Sequence, residues 1–199
     1  MKNVDRSKKV ILIGGGSHSY SLLANLRLNK LEIQGYIAPR STNLSQYIKY
    51  LGNDELISKE KYHSDFYYVI AFCYYDRSTK DYFKNFIHNL SSDLLLLPNL
   101  IHPTAFVDRN VIIQPGTVIG PNAMLNVNVT IGSNCVINSG AIIEHGSTIG
   151  DGCHIAPGSI VCGEVTIGDF TLVGAGSIVL NNKFLEADSI IPAGRIVFT

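Results

Sequence analysis

The chain has 199 residues, with sixteen basic and sixteen acidic side chains and a formal net charge of zero. That length allows one domain or two modest ones, and the absence of any Lys/Arg cluster argues against nucleic acid and anionic membranes as partners. The apolar run before Gly14 is too short for a signal or transmembrane segment, so a cytoplasmic protein is expected.

In chain order, Val10 to Ile13 read as a buried strand and Gly14, Gly15 and Gly16 as a turn. Leu22, Leu23 and Leu26 open a helical face, Leu31 to Ile37 form a second strand, and Tyr67 to Phe72 a third. Phe83, Phe86, Ile87 and Leu90 fall on one side of a helix, and Leu94 to Leu97 give a last short strand. Strands alternating with helices predict a small parallel α/β domain over residues 1–98. The dinucleotide fingerprint fails, because Ser19 stands where its third glycine belongs and Ala38-Pro39-Arg40 replace the acidic residue after the second strand. A glycine turn opening a helix still suits a phosphate, although such turns also recur without ligands.

From Ile101, every sixth residue through Val197 is Ile, Leu or Val, seventeen positions without a slip. Two residues earlier the side chain is usually small, as at Ala123, Cys135, Ser147, Cys153 and Ser177, and glycine follows at 120, 132, 150, 168 and 174. A period of six is neither helical nor that of a hairpin. It fits short strands joined by tight turns, three to a triangular coil, stacked so that the aliphatic residues form one column over residues 99–199. Cys135 and Cys153 would stack on adjacent coils at about 4.8 Å. With no C-x-x-C pair, zinc has little support, and small buried thiols are expected over a disulfide.

The Gly-Gly-Gly-Ser-His18 turn, the Ile101-His-Pro-Thr-Ala105 junction and the segment Asn138-Ser-Gly-Ala-Ile-Ile-Glu-His145 resemble the sugar acetyltransferases of surface polysaccharide and glycan synthesis. That family holds nucleotide-aminosugar N-acetyltransferases and sialic acid O-acetyltransferases. The resemblance spans essentially the whole chain. It implies an N-terminal Rossmann-like domain followed by a left-handed parallel β-helix, assembled as a homotrimer; closed cyclic symmetry is also the usual form of a homo-oligomer.

Histidine chemistry can be read beside it. His145 and His154 lie in a stretch otherwise given to aliphatic, small and turn residues. An amine or hydroxyl attacking a thioester must lose a proton near neutral pH, a task suited to imidazole. The resemblance makes His145 the general base. Where the family often carries a carboxylate after this histidine, the chain has Gly146; Glu144 is the candidate partner, although neighbours on a strand point to opposite faces. By the same resemblance, His154 contacts the acetyl carbonyl and could donate to the oxyanion. Gly163, Ala175 and Gly176 line the pantetheine of acetyl-CoA, and Asn138 and His18 contact the sugar substrate beside the Gly14, Gly15, Gly16 turn. The family's Gly-x-Pro-Ala-Lys ending is not present before Thr199, which implies a difference in part of the CoA site. The expected reaction is metal-free, direct acetyl transfer from acetyl-CoA to a nucleotide-linked 4-amino-sugar. A sialic acid hydroxyl is the alternative acceptor, and a non-catalytic sugar-binding or assembly solenoid the alternative class.

Overall fold

The structure is a computed structural model that describes residues 4–58, 65–90 and 94–198. Its N-terminal unit is a four-stranded, wholly parallel sheet of β1 (Lys9–Ile13), β2 (Ile33–Ile37), β3 (Tyr50–Gly52) and β4 (Phe66–Ile70), ordered β3-β2-β1-β4. Helix α1 (His18–Leu28) follows β1 and buries Leu22, Leu23 and Leu26. Helix α2 (Arg77–His88) follows β4 and starts at a capping box between Asp76 and Thr79. Val10 to Ile13 are at most 1 % exposed, as a central parallel strand covered on both faces requires.

Two expectations need correction here. Leu94 to Leu97 supply a single parallel bridge, Leu96 with Tyr68, because the chain meets the sheet edge at one residue before turning into the solenoid. Strand β3 was not expected; it is three half-buried residues at an edge, too short to show a period.

From Asn99 to Val197 the chain winds through three parallel sheets of six, six and five strands, every pairing being eighteen residues in register, as Thr130 with Thr148 and Ile137 with Ile155. The solenoid is the triangular parallel coil implied by the hexad. Its aliphatic column is fully enclosed from Ile119 to Val179, while Ile101, Val107, Ile113, Ile191 and Val197 at the ends are partly buried. The small residue two positions earlier does more than save space. Thr117, Cys135, Ser147, Cys153, Ser159, Thr171 and Ser177 each donate to the carbonyl fifteen residues on, satisfying the next corner from inside. Cys135 and Cys153 are free, buried thiols in this slot.

Three residues after each aliphatic position from Ile113 to Ile191 the backbone is left-handed, with φ between 53° and 78°. The glycines directly after the aliphatic residue have another task. A Cβ on Gly132 would lie 2.7 Å from the backbone nitrogen of Asp151 in the next coil.

The three outer faces differ. Val118, Val136, His154 and Leu172 face the N-terminal unit, and the two parts share cores: Leu100 and Val118 pack with α1 and β1, and Phe170 and Leu172 with Tyr74 and Phe83. Thr130, Thr148 and Thr166 make the middle of the second face polar, between Ile112 and Phe184 at its ends. The third presents Phe106, Met124, Ile142, Ile160, Ile178 and Ile196, an apolar stripe along its whole length. Among the described residues no helix is long and apolar enough to cross a membrane.

Candidate active site

His145 stands on the corner that leaves the strand Ile142–Ile143, at the edge of the apolar face, with 54 % of its side chain exposed. Its imidazole lies over Gly163 of the next coil. A Cβ there would come within 2.6 Å of Cε1 and Nε2, so glycine makes the space the ring occupies. Glu144 Oε2 sits 3.6 Å from Nδ1, because the chain has left the strand and strict alternation no longer holds. That carboxylate is steadied by Asn126, whose Nδ2 donates to Oε2 at 2.7 Å. Gly146 is left-handed at φ 68°, and the Glu164 carboxylate fills the space its side chain would take, with Oε2 2.8 Å from an ideal Cβ. Sequence reading missed Asn126 and Glu164, yet each lies eighteen residues from a residue it singled out, one coil away on the same corner.

His18, Asn138 and His154 gather elsewhere, where α1 meets the face covered by the N-terminal unit. His154 is buried, and its Nδ1 is 2.7 Å from the Tyr74 carbonyl. A carbonyl only accepts, so Nδ1 carries the proton and Nε2 faces Asn138 Nδ2 at 3.4 Å as an acceptor. Burial holds the His154 pKa below its ordinary value against the opposing pull of that carbonyl. The neutral ring in this tautomer has no proton to offer an oxyanion. His18 is half-buried, but its Nε2 is enclosed without a partner. Burial, and secondarily the nearness of His154, lowers its pKa to about 4. His18 and Asn138 line the same small cleft. Tyr74, which the sequence did not flag, fixes this region by donating from its hydroxyl to Gly152 and Thr171 carbonyls at 2.9 and 3.1 Å.

The glycine turn enters α1 without a side-chain cap from Ser17; the Ser19 and Tyr20 amides instead donate to the Gly16 and Ser17 carbonyls at 3.1 and 3.2 Å. Gly14 needs its φ of 117°, and a Cβ on Gly15 would strike Thr42 and Tyr36, whereas Gly16 is exposed and open. Ala175 lines an apolar groove with His154, Pro157 and Pro192, along the other edge of the apolar face, and Gly176 turns the corner beside it. Apart from the Gly14, Gly15, Gly16 turn, the expected site residues therefore fall into two groups: His145, Glu144 and Gly163 on one corner, and His18, Asn138, His154, Ala175 and Gly176 around another.

Comparison with known proteins agrees with this architecture. Residues 98–196 match the family model described as the GMPPB C-terminal domain. A variant of perosamine N-acetyltransferase from Caulobacter crescentus, solved with CoA and GDP-perosamine, superposes with a TM-score of 0.84 at 24 % identity over 96 % of this chain and 88 % of that one. The acetyltransferase domain of PglB from Neisseria gonorrhoeae gives 0.87 at 20 % identity over 96 % and 91 %. WeeI from Acinetobacter baumannii gives 0.69 at 19 % identity over 96 % and 97 %. No curated protein matches by sequence. The chain thus shares, along nearly its full length, the fold of hexapeptide-repeat sugar acetyltransferases.

Proposed function

We propose that this chain is an acetyl-CoA-dependent N-acetyltransferase acting on the amino group of a nucleotide-linked amino sugar, and that it works as a homotrimer. The observation that carries the reading is His145, an accessible imidazole over a glycine, backed by a carboxylate 3.6 Å from Nδ1, at the margin of an unpartnered apolar face. Solved proteins of the same fold hold CoA and GDP-perosamine, or acetyl-CoA, which supports both halves of the substrate assignment.

Trimer formation through the apolar stripe would cover Phe106, Met124, Ile142, Ile160, Ile178 and Ile196, a patch of the kind that marks an interaction site. In a closed ring one edge of this stripe meets the other edge on the next copy. His145 of one subunit is thereby brought toward the groove of Ala175, Gly176 and His154 on its neighbour, joining the two groups of residues. The solenoid, residues 99–199, holds acetyl-CoA between subunits, and residues 1–98 hold the nucleotide sugar, with its diphosphate at the amino end of α1.

With Nδ1 turned toward Glu144, His145 Nε2 takes the proton from the amine as its nitrogen attacks the thioester carbonyl. Collapse forms the amide and breaks the C–S bond, and the imidazolium returns the proton to the departing thiolate. Because His154 is an acceptor in its neutral tautomer, the developing oxyanion needs a donor from elsewhere, such as a backbone amide along the groove.

The test is thiol release from acetyl-CoA with a panel of amino-sugar nucleotides and free sialic acids, alongside light scattering. Acetylation of an amino-sugar nucleotide by a trimer is the expected result. Rapid acetylation of a sialic acid with no turnover of any amino-sugar nucleotide overturns the acceptor, and a monomer with full activity overturns the shared site.

A further inference from the structure

A cavity of about 270 Å³ opens at the carboxyl ends of β1 and β4. The strand order β3-β2-β1-β4 reverses between those two strands, and open α/β sheets bind ligands at such a reversal. Gly14, where the glycine turn leaves β1, forms part of its wall. Phe72, Tyr82 and Phe86 supply aromatic rings, and Phe72 lies 5.1 and 5.7 Å from the Phe86 and Tyr82 rings. The space is below the usual range for drug-sized ligands and suits one flat ring system.

Among the residues lining this apolar surround the acidic one is Asp54, at the start of the 3₁₀ turn Asp54–Ser58. Among the described residues no donor pairs with it, and burial alone raises its pKa from the ordinary carboxylate value. Its charge also reaches Tyr82, whose phenol is pushed up first by burial and then by Asp54. Cys73 on the same wall is a different kind of group. Burial raises its thiol to about 11, leaving it a neutral, inert lining.

We infer that this cavity is a nucleobase site and that Asp54 makes it selective for guanine. The inference rests on the nucleotide-sugar reading above and extends it to the base. An ionised carboxylate only accepts, and it accepts best from two adjacent donors. On their Watson–Crick edges, guanine alone among the common bases offers two, N1–H and the N2 amino group, side by side. Uracil and thymine place one N3–H between two carbonyl oxygens that the carboxylate repels, and adenine and cytosine pair their amino group with a ring nitrogen acceptor. The aromatic rings supply a stacking surface that every base can use, so discrimination comes from Asp54.

The experiment is calorimetric titration of the full-length protein, without acetyl-CoA, against GDP, UDP, dTDP, CDP and 2′-deoxyguanosine diphosphate. GDP and its 2′-deoxy form should bind alike and at least about tenfold more tightly than the pyrimidine diphosphates, as expected of hydrogen bonds to a charged group. Asp54→Asn should weaken GDP by about 10- to 100-fold. It should also gain affinity for xanthosine diphosphate, whose C2 carbonyl accepts from the new amide; that gain shows the variant is folded. UDP or dTDP binding as tightly as GDP, or GDP binding unchanged in Asp54→Asn, overturns the inference. A penalty confined to the 2′-deoxy form also overturns it, since Asp54 would then hold ribose. Selective GDP binding with no acetyl transfer to any amino-sugar nucleotide overturns the proposed reaction and leaves the base site standing.

Discussion

Ile155 in the solenoid and Ile11 in the N-terminal sheet are both fully buried, yet their neighbours come from different distances along the chain. Ile155 stacks between Ile137 and Val173, one coil before and one after. Ile11 pairs with Gly35 and Tyr68, which the chain reaches only after a helix and a crossover. A stack in which each coil touches only its neighbours stores its stability as a sum of near-identical interfaces, and its pattern repeats in the sequence. A parallel sheet has no such repetition, so each strand must be recognised singly. The proposed chemistry divides along the same line. In that reading the solenoid offers a base at a corner defined by periodicity, and the N-terminal unit offers a ligand surface made by loops that share no period.

The sharpest way to break this comparison is at the corner. His145→Ala should lower turnover by about 10²–10⁴-fold while acetyl-CoA binding, measured by calorimetry, stays within a few-fold. Turnover close to that of the unaltered protein would remove His145 from the chemistry and leave the solenoid as scaffold only.

The column can be probed next. Ile155→Ala empties a fully enclosed slot and should cost about 2–5 kcal/mol in denaturant unfolding. Ile101→Ala, in the partly buried first coil, should cost clearly less. Equal costs would contradict a stack whose ends are caps.

Tyr74 tests the joint between the regions. Tyr74→Phe removes a hydroxyl that bonds two solenoid carbonyls and should cost about 1–3 kcal/mol, with the two regions losing cooperativity in a thermal scan.

Protons act at the same joint, and their effect shows only in acid. The unfolded chain protonates His18 near its ordinary 6.5, whereas the folded chain resists down to about 4. Stability should therefore be complete above pH 6.5 and fall as the pH drops toward 4, by on the order of 3 kcal/mol for His18, with His154 adding in the same direction. His18→Asn should flatten the profile; an unchanged pH dependence would show that the ring is not enclosed in solution.

Much of the solenoid was legible because one aliphatic residue in six must face inward whatever surrounds the coil. The outer face was equally periodic: Phe106, Met124, Ile142, Ile160, Ile178 and Ile196 recur every eighteen residues and could have been read as an apolar stripe. The candidate base was visible as an imidazole with no packing task, and so was the glycine turn. Strand β3, the single bridge at Leu96 and the role of Tyr74 were not, because each depends on a partner remote in the chain.

The sequence by itself determined the period, the buried column and the alternation of strands and helices before it, and it singled out residues suited to the proposed chemistry, since these follow from side-chain type and local spacing. Tertiary structure alone decided that His145 stands on an exposed corner while His154 lies on the face that the N-terminal unit covers, that the tautomer of His154 makes its Nε2 an acceptor, and that Glu144 reaches His145 while Glu164 fills the place of a side chain at Gly146. Those outcomes depend on how corners eighteen residues apart stack and on what the N-terminal unit covers, and neither is encoded in the neighbourhood of any one residue.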